Sequence, residues 1–195
     1  MFKILCINLA ERTDRRAQIE EEINKFGCYD SFEIVEAVRD TTCFLSHRKC
    51  IELAKERGWK DVLILEDDCV FTDDAFEVIQ EMFVDIAINK IDWSILFFGP
   101  NLQGQILKVS DNLLRLSSAF ALHAYLVNEN VYDAILALPY GREMDVQISS
   151  EIIPNFPCFM PRKIVAQQRP SFSDLQGRFR DYTAELDYNF QKWGF

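Results

Sequence analysis

The chain has 195 residues, of which 49% are hydrophobic and 27% are charged, which is the composition of a folded domain rather than of a disordered chain. Its 21 basic and 31 acidic residues give a net charge of −10, which argues against a nucleic-acid partner, because such binding rests on neutralising phosphates. No apolar run reaches the roughly 18 residues that a membrane span needs. We therefore predict a single domain over residues 1–195, with no membrane span.

The cysteines and the first residues of the chain together indicate a reducing compartment. The six cysteines form no CxxC pair, and several lie in apolar runs, where cysteine acts as a small hydrophobic residue. The first nine residues lack the basic region and the long apolar stretch of a signal peptide. We therefore predict free thiols and a cytoplasmic location.

The first half of the chain alternates apolar strands with amphipathic helices. Thr13 can cap a first helix, whose apolar stripe extends to Phe26 and which Gly27 would end. Ser46 can cap a second helix in the same way. The strands predicted in this half, all short and apolar, lie at residues 2–9, 32–38 and 62–65.

The second half continues the alternation. Asp73 or Asp74 opens a helix whose apolar stripe would start at Phe76, and further helices are predicted at residues 129–138 and from Met144. Strands are predicted at residues 93–98, 113–116, 122–127 and 163–166. The whole pattern predicts an α/β fold with a mainly parallel sheet that is flanked by helices on both faces.

Three acids, Glu66, Asp67 and Asp68, directly follow the apolar strand at residues 62–65. Ligands bind at the carboxyl ends of strands in open α/β sheets, and side-chain alternation would turn Glu66 and Asp68 to one side and Asp67 to the other. Paired carboxylates suit Mg²⁺ or Mn²⁺, which keep positions open for phosphate oxygens. The alternative is a solvated acidic turn, but the fully apolar strand before the acids favours a metal site with Glu66 and Asp68 as ligands.

Three arginines, Arg12, Arg15 and Arg16, follow the first strand in an otherwise acidic chain. Arginine binds phosphate through paired hydrogen bonds, and a helix N-terminus adds partial positive charge. The alternative is a solvated first turn in which the arginines pair with the glutamates at residues 20–22. The sequence leaves both interpretations open.

The remaining candidates each have a structural and a functional interpretation. His47, beside the possible cap Ser46, would more often hydrogen-bond a backbone group than act in catalysis. The strand-like sequence around His123 predicts a core histidine, with metal ligation as the alternative. Asp145, in a loop before a helix, is either a cap or a general base. Neither the GxSxG motif of serine hydrolases nor the phosphate-binding motifs GxGxxG and GxxxxGK[ST] occur in the chain.

Several segments occur in an order that resembles one enzyme family. They are residues 7–16 (INLAERTDRR), 36–38 (EAV), 43–47 (CFLSH), 65–68 (LEDD), 124–127 (AYLV), 144–145 (MD) and 168–176 (QRPSFSDLQ). This order resembles glycosyltransferase family 25, which includes the lipooligosaccharide-type and the collagen hydroxylysine galactosyltransferases. Two features depart from the family: Thr42 stands where a glycine is usual, and the stretch at residues 38–41 is short.

The resemblance implies a GT-A-like (Rossmann-like) fold. It implies inverting transfer of a hexose, galactose or glucose, from a UDP-sugar to a hydroxyl of a glycan or a hydroxylated protein, as in lipopolysaccharide biosynthesis. It also implies that Glu66, Asp67 and Asp68 stand for the metal-binding DxD motif, with Mn²⁺ or Mg²⁺ as cofactor. Asp145 is then the general base. The donor-binding residues would be Asn8, Arg12, Arg15, Arg16, Ser46, His47 and Asp67.

Two other classes of function remain open at this stage. A catalytically silent GT-A-like binding protein would keep the fold, and the short stretch at residues 39–42 favours it, whereas the intact acids argue against it. A metal-dependent phosphoester hydrolase would also use acids at a strand end. Such a hydrolase would need a larger ligand set, and the chain has only two histidines.

Overall fold

The computed structural model describes residues 2–25, 31–39, 42–173 and 177–181. The strands of this part are β1 (Lys3–Asn8), β2 (Phe32–Glu36), β3 (Asp61–Glu66), β4 (Cys69–Phe71), β5 (Ile95–Phe97), β6 (Asn101–Lys108), β7 (Leu113–Phe120), β8 (Ala124–Asn128), β9 (Cys158–Pro161), β10 (Ala166–Gln168), β11 (Ser171–Ser173) and β12 (Arg178–Arg180). The helices are α1 (Thr13–Lys25), α2 (Phe44–Glu56), α3 (Ala75–Asn89), α4 (Tyr132–Leu136) and α5 (Met144–Gln147). A 3-10 turn (Glu129–Val131) precedes α4, and a π-helical segment (Ile148–Ile152) continues α5.

Eight of the described strands form one sheet in the order β2-β1-β3-β8-β5-β9-β7-β6. β1 pairs in parallel with β2 and β3, and β5 pairs in parallel with β9. β8 and β7 run antiparallel to both of their neighbours, so the other six strands of this sheet all point one way. The prediction of an α/β fold with a mainly parallel sheet is therefore confirmed.

The direction in which successive strands are added to the sheet reverses at β1. From β1 the chain passes through α1 to β2 on one side, and it then passes through α2 to β3 on the other side. Ile19 of α1 belongs to the same buried cluster as Cys6 of β1, whereas Ile51 of α2 packs in the cluster of Leu5 on the opposite face. Such a reversal leaves a crevice beyond the carboxyl ends of β1 and β3, which is the usual ligand site of open α/β sheets. We call it the switch-point crevice.

Helices cover both faces of the sheet, as predicted. α1 and α3 contribute to one buried cluster, and α2, α4 and α5 contribute to the other. β3 explains why two layers form: Val62 and Ile64 point to the layer of α2, while Leu63 and Leu65 point to the layer of α3. None of the described helices is long and apolar enough to cross a membrane.

The apolar stripe of α3 differs from the predicted one. Ala75, Val78, Met82 and Ile86 are buried, whereas Phe76 is 51% exposed. Phe76 lies about 100° around the helix from Ala75, because an α-helix has 3.6 residues per turn. The sequence of α3 contains two overlapping apolar stripes, and packing against the sheet selects the one that starts at Ala75.

The starts of α2 and α3 also differ from the predicted ones. Ser46 does not cap α2, because this helix begins at Phe44 after Cys43, whose φ of 54° is left-handed. The Oγ of Ser46 instead accepts a hydrogen bond from the backbone N–H of Val38 at 2.9 Å, which ties the loop after β2 to α2. Asp74 occupies the N-cap position of α3, but its side chain makes no capping hydrogen bond. The predicted end of α1 at residues 26–27 lies outside the described residues.

The described cysteines, five of the six, carry free thiols, and Cys28 lies outside the described residues. Burial raises the thiol pKa of four of them well above its ordinary value, which keeps them protonated and unreactive. These four are Cys6, Cys50, Cys69 and Cys158. Cys43, at the start of α2, is only partly buried.

We expect a thiol reagent to modify Cys43 of the native protein at least tenfold faster than the four buried cysteines, because only exposed thiolates react readily. Timed labelling followed by peptide mass spectrometry measures these rates. The denatured, unreduced protein should yield close to six thiols. A count of four or fewer would reveal a disulfide and contradict the prediction of free thiols.

Candidate functional site

Asn8, the last residue of β1, connects the loops on the two sides of the switch-point crevice. Its Nδ2 donates to Oδ2 of Asp67 at 2.7 Å and to the carbonyl oxygen of Arg12 at 3.1 Å. Its own carbonyl oxygen accepts from the backbone N–H of Ala37 at 2.9 Å. One buried side chain thus fixes the acidic turn after β3 relative to the loop after β1.

Arg15 in the first turn of α1 contacts two of the three acids. Its Nη1 donates to Oδ1 of Asp67 at 2.9 Å and lies 3.5 Å from Oδ2 of Asp68, and its Nη2 donates to Oγ of Ser171 at 2.6 Å. The prediction that Asp67 and Asp68 face opposite sides is therefore wrong. β3 ends at Glu66, and the two acids that follow lie in a turn, where strand alternation does not apply.

Glu66 faces α2 and the short strand β10. Its Oε1 lies 3.1 Å from Nε2 of His47, and its Oε2 accepts from Nε2 of Gln168 at 3.4 Å. Nδ1 of His47 in turn lies 3.0 Å from the hydroxyl of Tyr125, which is fully buried in β8. β10 is held in place by its antiparallel pairing with β4, the strand that follows the acids.

The acids differ in their affinity for protons. Burial and the neighbouring charge of Glu66 raise the pKa of Asp68 to about 7. Burial acts in the same direction on Glu66, but the hydrogen bond from His47 and the nearby charge of Arg15 hold the pKa of Glu66 below its ordinary value. Burial also raises the pKa of Asp67, against the effect of Arg15. The carboxylates therefore repel one another in this site unless a proton or a cation is added.

One oxygen of the cluster lacks a partner. Oδ1 of Asp68 is buried and accepts no hydrogen bond from the described residues, which is unfavourable for a carboxylate. A cation bound there would satisfy this oxygen. Glu66 and Asp68 fit Mn²⁺ or Mg²⁺ if water and ligand phosphates complete the coordination, as Mg²⁺ sites commonly do. Across the described part of the chain, no three His, Cys, Asp or Glu side chains form a ready-made metal cage.

The other two arginines pair with neighbouring acids. Arg12 donates twice to Asp14, at 3.0 Å each, and Nε of Arg16 donates to Glu20 at 2.9 Å. The side chain of Arg16 is 54% exposed. The solvated-turn interpretation thus describes Arg16, whereas Arg15 is the arginine that contacts the acidic turn.

Asp145 lies in the first turn of α5, beside the connection from β7 to β8. Its Oδ1 accepts from the N–H of the next residue at 2.8 Å, and its Oδ2 accepts from the N–H of Ala121 at 3.4 Å. Two residues beyond Ala121, the carbonyl oxygen of His123 accepts from the N–H of Glu66 at 2.9 Å. Asp145 and the acidic turn therefore flank the same short connection. Glu143, not Asp145, occupies the N-cap position of α5.

His123 is a core histidine. Its Nε2 lies 3.2 Å from the carbonyl oxygen of Ala166, and burial lowers its pKa. The ring packs directly on Gly99, where a Cβ atom would lie 2.3 Å from Nε2 of His123 and 2.1 Å from the carbonyl oxygen of Ala166. Only glycine leaves enough space at this position for the ring and the backbone of β10. Among the described residues, His123 belongs to no group of three His, Cys, Asp or Glu side chains that could hold a metal ion.

Three residues of the site were not predicted as site residues. Gln168 and Ser171 lie in a segment that the sequence marks only as a polar loop, and Tyr125 lies in an apolar strand. Segments 124–127 and 168–176 belong to the family resemblance, and that is the signal that could have identified them. Residues 174–176 of the second segment lie outside the described residues.

Sequence comparison gives one short match to a glycosyltransferase-like protein. The chain is 33% identical over 57 residues to a mouse protein described as inactive glycosyltransferase 25 family member 3. The match covers 29% of this chain and 10% of the mouse protein, so the chain spans about a tenth of that relative's length. No family model matches the chain.

Comparison with solved structures supports the fold class. A197 from STIV matches with a TM-score of 0.50 at 9% identity, over 82% of this chain and 81% of A197. A glycosyltransferase involved in the glycosylation of the major capsid of PBCV-1 matches with a TM-score of 0.48 at 9% identity, over 95% of this chain and 97% of that one. At such identities the likeness to A197 shows a shared fold.

Proposed function

We propose that this protein is a GT-A-like glycosyltransferase that moves a hexose from a UDP-sugar to a hydroxyl of a glycan or a hydroxylated protein, with inversion and with Mn²⁺ or Mg²⁺ as cofactor. The observation that carries the proposal is the buried, unpartnered oxygen of Asp68 at the switch-point crevice. It lies where open α/β sheets bind their ligands, between an arginine and a second carboxylate.

The charge of the site supports a cation that is bound together with a diphosphate. At full ionisation Glu66, Asp67 and Asp68 outweigh the single guanidinium of Arg15 by two negative charges. One divalent cation would cancel this excess and would also remove the repulsion between an acidic protein and a nucleotide diphosphate. Glu66 and Asp68 would hold it, and when bound it would offset the charge that develops on the departing diphosphate.

The residues around the crevice have distinct roles in this proposal. Asp67 is fixed by Asn8 and Arg15, and its oxygens keep lone pairs that can accept from a ribose or sugar hydroxyl. Asp145 accepts the proton of the acceptor hydroxyl while the oxygen of that hydroxyl bonds to the anomeric carbon. The bond from the anomeric carbon to the diphosphate oxygen breaks in the same step, and UDP leaves.

A second candidate is a binding protein that has kept the fold without the activity. Arg15 contacts both Asp67 and Asp68, so the chain itself neutralises part of the charge that a cation would neutralise. The mouse protein with the 57-residue match is described as inactive. Such a protein would bind a nucleotide sugar or a partner without turning the sugar over.

A ligand screen tests both candidates. We expect UDP-galactose or UDP-glucose to raise the melting temperature in the presence of Mn²⁺ and to lose this effect in a chelator, because ligands that bind only the folded state stabilise it. GDP-mannose serves as the control nucleotide sugar. Release of UDP in the presence of a sugar acceptor would then identify the enzyme, whereas binding without release would favour the silent protein. The absence of any Mn²⁺-dependent shift would contradict the proposed function.

A further inference from the structure

A buried chain of polar side chains leads from the core to the site. Tyr125 in β8 is fully buried, and its hydroxyl lies 3.0 Å from Nδ1 of His47. His47 in α2 is 2% exposed, and its Nε2 lies 3.1 Å from Oε1 of Glu66. Polar groups are costly to bury unless they are satisfied, and the next positions of β8, Leu126 and Val127, are apolar. The packing of β8 does not by itself explain why residue 125 carries a hydroxyl group.

The contacts fix where the protons of this chain lie. Ionised Glu66 can only accept, so Nε2 of His47 must carry a hydrogen. In the neutral ring Nδ1 then has a lone pair, and the hydroxyl of Tyr125 donates to it. Glu66 therefore sets the hydrogen on Nε2, and the hydroxyl of Tyr125 pairs with the other ring nitrogen and holds the ring in this orientation. Without this hydroxyl, Nδ1 would be unpaired in an apolar layer, and the ring could turn away from Glu66.

We propose that Tyr125 and His47 are positioning residues for Glu66, so that His47 orients this acid and does not contact the sugar donor. Both ring nitrogens of His47 are already occupied, which leaves none for a donor. Glu66 needs such support, because its side chain is 27% exposed at the crevice and, among the described residues, its other oxygen accepts a long 3.4 Å contact from Gln168. This inference rests on the proposed function, which assigns Glu66 to the cation.

The test is the variant Tyr125→Phe, which removes one hydroxyl and keeps the ring. The chain has two histidines, so long-range ¹H–¹⁵N spectra contain two ring systems, and His47→Gln assigns them. At pH 8 without metal, we expect a hydrogen on Nε2 of wild-type His47, and in Tyr125→Phe we expect the Nδ1 resonance to shift because this nitrogen loses its partner. The ¹³C resonance of the Glu66 carboxyl group should shift in the same variant.

Binding provides the second measurement. Groups that orient a metal ligand typically contribute about 10- to 100-fold to metal affinity, so Tyr125→Phe should weaken binding of Mn²⁺ with UDP by about tenfold or more. Tyr132→Phe is the matched control, because the hydroxyl of Tyr132 is also buried but has no hydrogen-bond partner within the described part of the chain. This control should leave the His47 ring, the Glu66 resonance and the affinity unchanged.

The possible failures of the two proposals are distinguishable. A wild-type His47 ring without a hydrogen on Nε2 would overturn the positioning role, and so would an unchanged Glu66 resonance in Tyr125→Phe. A changed ring with unchanged Mn²⁺–UDP affinity would overturn it as well. If the wild type binds no Mn²⁺ and UDP at all, the proposed function fails, and the Glu66 resonance alone decides whether Tyr125 positions this acid.

Discussion

Replacement of Asp145 by asparagine is expected to lower the rate of sugar transfer by about 100- to 10,000-fold, which is the usual contribution of a general base. A base acts only as the acceptor hydroxyl loses its proton, so its loss affects the transition state and not the bound donor. Binding of UDP-sugar and Mn²⁺ should therefore stay near that of the wild type. Single-turnover transfer assays and calorimetry separate the two quantities.

The structure makes this variant a sharp test. Asparagine has nearly the size of aspartate, and its one acceptor oxygen can keep the 2.8 Å hydrogen bond within the first turn of α5. The second contact, to Ala121, is long at 3.4 Å, so its loss should cost little stability. Glu143→Gln, two residues away and exposed, is the matched control and should remain active. A folded Asp145→Asn protein with near wild-type transfer would remove Asp145 from the reaction.

The strands that define the site were predictable because their composition reflects burial on both faces. β1 and β3 are covered by a helical layer on each side, so nearly every residue in them must be apolar. A polar residue directly after such a strand is therefore conspicuous. The three acids after the predicted strand at residues 62–65 were identified in this way, whereas Asn8 was named only through the family resemblance. The topology brings the two loops together at 2.7 Å between Asn8 and Asp67.

The peripheral strands were harder to predict, because they are exposed, short or broken by polar residues. β6 has mostly exposed side chains and an irregular register beside Gly104, so it shows no clear alternation. β9 ends in Pro161, which is unusual for a strand inside a sheet. The short strand β10 begins three residues after the start of the strand predicted at residues 163–166. Its position is determined by pairing with β4 and not by its own composition.

The contacts of the site depend on distant parts of the chain, and this is why the sequence did not reveal them. Ser171 lies 156 positions from Arg15, and Gln168 lies 102 positions from Glu66. Local patterns report which face of an element is buried, but not which element packs beside it. The role of Arg15 is of the same kind, since Arg12, Arg15 and Arg16 look alike in sequence and nothing local shows that Arg15 contacts the acidic turn.

Asp68→Asn is expected to weaken the binding of UDP in Mn²⁺ by about 10- to 100-fold, because it removes a charged oxygen that is proposed to hold the cation. The substitution keeps the size of the side chain, so the packing of the turn should survive. Isothermal calorimetry with UDP, in Mn²⁺ and in chelator, measures the loss. Asp111→Asn makes the same change of charge at an exposed turn and should leave the affinity unchanged.

The same variant should stabilise the metal-free protein, and the effect should depend on pH. The pKa of Asp68 is raised in the folded state, so between about pH 4 and pH 7 the folded chain keeps a proton that the unfolded chain has released. The wild type therefore loses stability as pH rises through this window, by on the order of 2 to 4 kcal/mol from this group. The stability gained by Asp68→Asn should grow from pH 4 to pH 7 and stay constant above pH 7. Urea unfolding of both proteins in chelator measures this gain.

Mn²⁺ with UDP should stabilise the wild type more than the variant, because the cation satisfies the Asp68 oxygen that repulsion and burial penalise. A gain that is independent of pH, together with unchanged UDP affinity, would exclude Asp68 from the cation site.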